Sequence, residues 1–295
     1  MPNHGTPRKI SAASPLFPCR SDFFIHFFRG LLFTKAEKLC KLKATAPGQN
    51  PVRKRRTIML DTILFDLDGT LLPMDQRAFV EAYVTQLCRR YVPCGYDKDL
   101  IVKALWTGTL AMVQNDGSCP NEDRFWSSFD QLLGDTRAIR DTIPSFYTEE
   151  FDTVKEVAAP SPLARQIVDT LRHKGYTLIL ATNPLFPAVG VRTRLSWIDL
   201  RPEDFSLVTT YDNSTFCKPF PGYYQEILKK AGKTPEQCRM VGNNPLDDMS
   251  AAKLGLDVYL VTDYIENEKN LPLEGYPQGA LSDVLDWSRA LPALG

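Results

Sequence analysis

The segment ILFDLDGTLLP, residues Ile63 to Pro73, joins an apolar run to a pair of acids. Its apolar beginning is typical of a short buried strand, and the Asp-Gly-Thr that follows is a turn signal. Two carboxylates, Asp66 and Asp68, stand one residue apart at the point where this strand is predicted to end. This spacing indicates a chemical role for the two carboxylates. Residues that act together with them are expected at the ends of other predicted strands.

After residue 159 the chain alternates predicted strands with predicted helices. The strands are TLILATN, FSLVTTYD, CRMVGNN and LDVYLVTD, and the helices are PLARQIVDTLRHKGY, PGYYQEILKKAGK, LDDMSAAKLG and ALSDVLDWSRAL. Such alternation predicts parallel βαβ units with right-handed crossovers. The expected core, residues 59–74 and 159–295, is an α/β fold with a Rossmann-like, three-layer parallel sheet.

Residues 75–158 show no strand alternation and are predicted to be helical. In RAFVEAYVTQLCRRY, the residues Phe79, Tyr83 and Leu87 recur at the spacing of one helix face. The segments DLIVKALWTGTLAMV and EDRFWSSFDQLLG have the same character. We therefore expect a helical cap domain inserted after the first strand.

The net charge of zero conceals a basic arm on an acidic body. Residues 1–58 hold twelve Lys or Arg and two acids, a net charge of +10, which leaves −10 for the remainder. This pattern agrees with a targeting segment or a nucleic-acid tail, although the RKRR run (Arg53–Arg56) is short. The hypothesis that we favour is translation that starts at Met59, just before the first predicted strand, so that the first start is misassigned. In each case we expect residues 1–58 to be poorly ordered.

The seven cysteines are scattered and form no CxxC pair. This argues against a disulfide framework or a zinc site and for a reducing, cytoplasmic setting. No stretch of about 18 apolar residues is present, so we expect no membrane partner. We also expect no nucleic-acid partner, and the sequence leaves the oligomeric state unknown.

Four elements at the predicted strand ends resemble those of the haloacid dehalogenase superfamily, in its phosphatase type with a C1 cap. The segment DLDGT resembles the DxDGT element of that family, and ATN resembles its Ser/Thr element. Lys218 in CKPFPGYYQEIL and the acids of VGNNPLDDM resemble the lysine and acidic elements. The resemblance covers most of residues 59–270, with the four elements in the family's order.

The resemblance implies a phosphoric monoester hydrolase that acts on a small-molecule phosphate ester. Asp66 would attack phosphorus and form an aspartyl-phosphate, and Asp68 would protonate the leaving alkoxide and later deprotonate water. Lys218 would supply positive charge near the transferring group. The resemblance also implies residues that bind phosphate or shape the phosphate loop: Thr182, Asn183, Gly69 and Thr70.

The implied cofactor is Mg²⁺, which suits a site made of oxygen ligands. Its expected ligands are Asp66, the carbonyl of Asp68, and Asp248 with Asp247 beside it. Where the family commonly has aspartate, this chain has Asn243, which offers an oxygen but no charge. We therefore expect a greater demand for Mg²⁺ than an aspartate would give.

Alternatives to a phosphatase remain at this point. A sugar phosphomutase of the same family would use the same aspartates, and a non-catalytic binding module would keep the fold alone. A 2-haloacid dehalogenase is disfavoured, because halide needs no acid on the leaving group and Asp68 is present. Sugar phosphates, nucleotides, flavin mononucleotide and phosphoglycolate all remain open as substrates.

Overall fold

The computed structural model describes residues 59–295, and the expectation for residues 1–58 lies outside the described part. Its sheet has six parallel strands in the order β3-β2-β1-β4-β5-β6. Their bounds are β1 Thr62–Phe65, β2 Thr177–Leu180, β3 Leu207–Val208, β4 Cys238–Gly242, β5 Asp257–Val261 and β6 Gln278–Gly279.

Strand β1 lies in the middle of the sheet, where all four of its residues are buried. Its register aligns Phe65 with Leu180 of β2 on one side and with Val241 of β4 on the other. The residues that follow these three therefore emerge at one edge. Because the carboxyl ends of parallel strands meet there, ligand sites of open α/β sheets lie at this edge.

Eight α-helices are found in residues 59–295. They are α1 Gln76–Tyr91, α2 Lys98–Val113, α3 Asn121–Leu133, α4 Arg137–Thr148, α5 Pro162–His173, α6 Ala188–Ser196, α7 Pro221–Ala231 and α8 Leu281–Ala290.

Side chains of β1 alternate between two apolar clusters, as the period of a strand requires. Ile63 and Phe65 pack in one cluster with residues of α5, α6 and α8. Leu64 packs in the other with residues of α7. Helices thus cover both faces of the sheet, and the predicted three-layer α/β fold is confirmed.

Helices α1 to α4 and a 3₁₀ helix, Phe151–Val157, lie between β1 and α5. The two ends of this segment are adjacent: Met74 forms a β-bridge with Ala158, and the Ala159 amide donates to the Pro73 carbonyl at 2.8 Å. The division into a core and a cap at residues 75–158 stays a prediction.

Three elements differ from the sequence-based expectation. Met249–Leu254 is a 3₁₀ helix rather than an α-helix, and β6 and α6 were not predicted. Helix α6 buries Thr193 and Arg194 together with its apolar residues. Two buried polar residues interrupt the apolar stripe by which an amphipathic helix is recognised.

All five cysteines of residues 59–295 are free thiols. Within the same residues, no helix is long and apolar enough to cross a membrane.

Candidate active site

A buried lysine joins the ends of two neighbouring strands. The ammonium nitrogen of Lys218 donates to Asp66 Oδ1 at 2.7 Å and to Asp248 Oδ1 at 2.6 Å. Asp66 follows β1, Asp248 lies beyond β4, and Lys218 is only 2% exposed. The structure thus brings together three predicted site residues from three separate segments.

The turn after β1 is closely fitted to the loop after β4. Gly69 has a φ of +79°, and a Cβ added there would lie 2.2 Å from Asn243 Nδ2. The backbone conformation and the close approach both favour glycine. Thr70 Oγ1 lies 3.3 Å from Asp66 Oδ2 and 3.1 Å from Asn243 Oδ1, and its single proton serves one of them at a time. Thr70 therefore links Asp66 to Asn243.

The loop after β4 is folded around the Asp248 carboxylate. Asp248 Oδ2 accepts from the Asn244 amide at 2.9 Å, and a Cβ on Gly242 would lie 2.2 Å from the same oxygen. Asn244 Oδ1 accepts from the backbone amide of Asp247 at 3.0 Å. A glycine and an asparagine side chain thus allow Asp247 and Asp248 to sit at the strand edge.

The segment after β2 lies against the same edge. The buried residue Thr182 has its carbonyl held by the hydroxyls of Thr209, at 2.6 Å, and Tyr223, at 2.9 Å. Asn183 Oδ1 accepts from the backbone amide of Lys218 at 3.3 Å. With the oxygen occupied, the Nδ2 group is the donor that Asn183 has left for a ligand.

Asp68 has a partner that the sequence did not indicate. Its Oδ2 forms an ion pair with Nη1 of Arg194 on α6, whose side chain is 0% exposed. Arg194 Nε donates to the Gly190 carbonyl at 3.3 Å, and its guanidinium carbon lies 4.2 Å from the ring centre of Phe186. Arg194 is therefore fixed by helix and ring contacts and in turn orients Asp68.

Two buried polar atoms near this ion pair lack a protein partner. Within residues 59–295, neither Asp68 Oδ1 nor Arg194 Nη2 has a hydrogen-bond partner. Buried polar groups are rarely left unpaired, so such atoms call for a ligand, an ion or water.

Negative charge is crowded at this edge of the sheet. Burial raises the pKa of Asp66 to about 7, with Lys218 opposing the rise and Asp248 adding to it. Burial and the nearby Asp248 raise the pKa of Asp247 to about 6. Although burial alone would lower the pKa of Lys218, the carboxylates of Asp248 and Asp66 raise it well above its usual value. Lys218 thus stays charged, while burial favours the protonated forms of Asp66 and Asp247.

Glu266 adds a further carboxylate that the sequence did not indicate. It lies in the loop after β5, where its Oε2 accepts from Asn244 Nδ2 at 3.2 Å. Burial, together with the charge of Asp66, raises its pKa to about 8. A lone acid in a loop, outside any motif, gave no signal by which to find it.

The donors at this edge suit Mg²⁺, which prefers oxygen ligands and negative charge. Within the described residues, no three His, Cys, Asp or Glu side chains are grouped as a metal site. Asp66, Asp247 and Asp248 are therefore not grouped closely enough to hold an ion by three carboxylates alone. The expected ligands also include the Asn243 amide and the Asp68 carbonyl. Burial raises the pKa of Asp66 and of Asp247, and a cation bound at this edge would offset the crowding of their carboxylates.

Comparison with known protein families identifies the family of this chain. The model of the haloacid dehalogenase-like hydrolases matches residues 60–255, about two thirds of the chain. The chain belongs to this family and is a hydrolase.

Two similar proteins illustrate the relationship. The pyrophosphatase PpaX of Bacillus cereus (strain AH820) is 26% identical over 199 residues, which are 66% of this chain and 80% of PpaX. A HAD phosphatase from Thermococcus onnurineus is 20% identical with a TM-score of 0.51, covering 77% of this chain and 97% of that one. The similarity to the Thermococcus onnurineus structure shows the fold alone.

Proposed function

We propose that the protein is a Mg²⁺-dependent phosphatase that hydrolyses a small phosphomonoester through an aspartyl-phosphate on Asp66. The observation that carries the proposal is the buried contact of Lys218 with both Asp66 and Asp248. This contact holds a carboxylate nucleophile beside a fixed positive charge, which phosphoryl transfer requires.

The first step transfers the phosphoryl group to the protein. An oxygen of Asp66 forms a bond to phosphorus while the bond from phosphorus to the ester oxygen breaks. A proton from Asp68 neutralises the departing alkoxide, which leaves as an alcohol. Lys218 and the Nδ2 group of Asn183 bind phosphoryl oxygens and stabilise the charge of the transition state.

The second step returns Asp66 to its carboxylate form. Asp68 removes a proton from water, whose oxygen attacks phosphorus and displaces Asp66, so that inorganic phosphate leaves. Because Arg194 pairs with Asp68 Oδ2, the same carboxylate group keeps its orientation in both steps. Asp66, Asp248 and Asn243 would hold Mg²⁺, which would neutralise part of the negative charge at the reacting centre.

The experiment is hydrolysis of p-nitrophenyl phosphate in Mg²⁺ by wild type and Asp66→Asn. We expect the variant to lose the activity and also the phosphoryl adduct, detected by intact mass after an acid quench. Asp61→Asn is the matched control, because Asp61 pairs with Lys233 at 2.8 Å at the opposite end of β1. Equal activity of wild type and Asp66→Asn would reject the proposal, as would halide release from chloroacetate without phosphate-ester hydrolysis.

The substrate is identified with a panel of metabolite phosphates. Inorganic pyrophosphate belongs in this panel, since the similar PpaX proteins are pyrophosphatases. Faster turnover of an anhydride than of every monoester would change the proposed substrate class and leave the role of Asp66 intact.

A further inference from the structure

The side chain of Asn243 is already used within the protein. Its Nδ2 donates to the Tyr264 carbonyl at 2.6 Å, and its Oδ1 lies 3.1 Å from Thr70 Oγ1. It therefore braces the turn after β1 against the loop after β5. It brings no charge to a cation, unlike the aspartate that the family commonly has at this position.

Glu266 lies beside this asparagine because the loops after β4 and β5 run together. The two strands pair with Gly242 opposite Leu260, and the Glu266 amide donates to the Asn243 carbonyl at 3.1 Å. The side chain of Glu266 is held on the same loop by Asn244, at 3.2 Å. Its partly buried carboxylate interacts electrostatically with those of Asp66, Asp247 and Asp248.

The hydrogen bond to Asn244 does not require a charge at this position. A neutral glutamine would accept the same bond without bringing a further carboxylate next to Asp66 and Asp248. Placing a partly buried carboxylate among other acids costs free energy unless a cation offsets it. A cation bound at this edge would offset that cost.

We infer that Glu266 is part of the divalent-cation site, where its carboxylate replaces the charge that Asn243 lacks. It acts on the bound cation through one of the cation's water ligands, as outer carboxylates of metal sites do. This inference rests on the Mg²⁺ site of the proposed function and adds a residue to it.

The test is Mg²⁺ binding to the purified protein, with no substrate present. Isothermal titration compares wild type with Glu266→Gln, and with Glu274→Gln as an exposed control on the same loop. We expect the Kd for Mg²⁺ to rise about 10- to 100-fold in Glu266→Gln, which is the usual effect of an outer carboxylate. The control should keep the wild-type Kd.

Thermal unfolding separates this role from a structural one. In EDTA, Glu266→Gln should melt no lower than wild type, and the rise of its Tm on adding Mg²⁺ should be smaller. Equal losses of Tm in EDTA and in Mg²⁺ would mean a structural role and overturn the inference. So would a Kd within twofold of wild type, or a wild type that binds no Mg²⁺.

The outcomes distinguish this inference from the proposed function. Weakened Mg²⁺ binding in Glu266→Gln, with no phosphatase activity in wild type, would reject the function and keep the cation site. An active wild type whose Mg²⁺ affinity is unchanged by Glu266→Gln would keep the function and reject the role of Glu266.

Discussion

The ammonium nitrogen of Lys218 lies 2.7 Å from Asp66 Oδ1 while it also contacts Asp248, so one buried cation connects the ends of β1 and β4. This arrangement is both structural and, in the proposed mechanism, catalytic. Removing the lysine would leave two buried carboxylates facing each other.

Lys218→Met is expected to lose activity and to lower the free energy of unfolding by about 3–5 kcal/mol, the usual cost of breaking a buried ion pair. Denaturant unfolding and p-nitrophenyl phosphate hydrolysis measure the two effects. Lys229→Met, at an exposed position of α7, is the matched control and should change neither. Wild-type stability in Lys218→Met would show that Asp66 and Asp248 do not depend on this charge.

Arg194 is expected to act on the rate through Asp68 and to have little effect on substrate binding. In Arg194→Met we expect kcat to fall about 100-fold, the size of effect that a misplaced catalytic group produces, with KM nearly unchanged. Arg194→Lys should recover part of the rate, because lysine keeps the charge but loses the planar fork of donors. The measurement is steady-state kinetics with separate kcat and KM.

The control for Arg194 is Arg192→Met on the same helix. Arg192 pairs with Glu203 at the surface, where both side chains are more than half exposed. A rise in KM without a fall in kcat for Arg194→Met would place the arginine on the substrate rather than on Asp68.

The variant Asn243→Asp introduces the aspartate that the family commonly has at this position, and it tests whether position 243 is a ligand of the cation. The new carboxylate oxygen would face the Tyr264 carbonyl, which now accepts from Nδ2 at 2.6 Å. We therefore expect a lower Tm in EDTA, a larger gain of Tm on adding Mg²⁺, and half-maximal activity at less Mg²⁺. Thermal unfolding and a Mg²⁺ titration of the activity provide the readout.

Asn267→Asp is the matched control for Asn243→Asp, because Asn267 Nδ2 donates to the Leu271 carbonyl at 2.9 Å on the loop after β5. It should lose stability equally in EDTA and in Mg²⁺. The same behaviour in Asn243→Asp would count against a ligand role for position 243.

The raised pKa of Asp66 predicts how the stability of the metal-free protein depends on pH. The folded protein binds a proton at Asp66 up to about pH 7, whereas in the unfolded chain this carboxyl has its ordinary pKa of 3.8. Between these values the folded state holds more protons, so its stability falls as pH rises, by up to about 1.4 kcal/mol per pH unit.

Denaturant unfolding in EDTA between pH 5 and 7, compared with Asp66→Asn, measures this contribution. The wild type should lose stability relative to the variant as pH rises through this range, and Mg²⁺ should reduce the difference. Parallel pH profiles of the two proteins would show that the carboxylate is ionised throughout.

Several features of the protein follow from the amino-acid sequence by itself. The alternation of apolar strands with amphipathic helices predicted the parallel α/β sheet, because burial of both sheet faces leaves continuous apolar runs. The spacing of Asp66 and Asp68, and the glycines beside the acids, marked the ends of β1 and β4. The carboxyl ends of parallel strands meet at one edge of the sheet, so these local patterns were sufficient to predict that the two strand ends lie together.

The pairing of Arg194 with Asp68 and the position of Glu266 beside Asn243 became visible only in the tertiary structure. Arg194 lies 126 positions after Asp68, on a helix without an apolar stripe, and Glu266 stands alone in a loop. Their partnership depends on how α6 packs against the sheet and how the loop after β5 runs beside Asn243. Contacts of this kind arise from packing between distant segments, and no spacing within the chain encodes them.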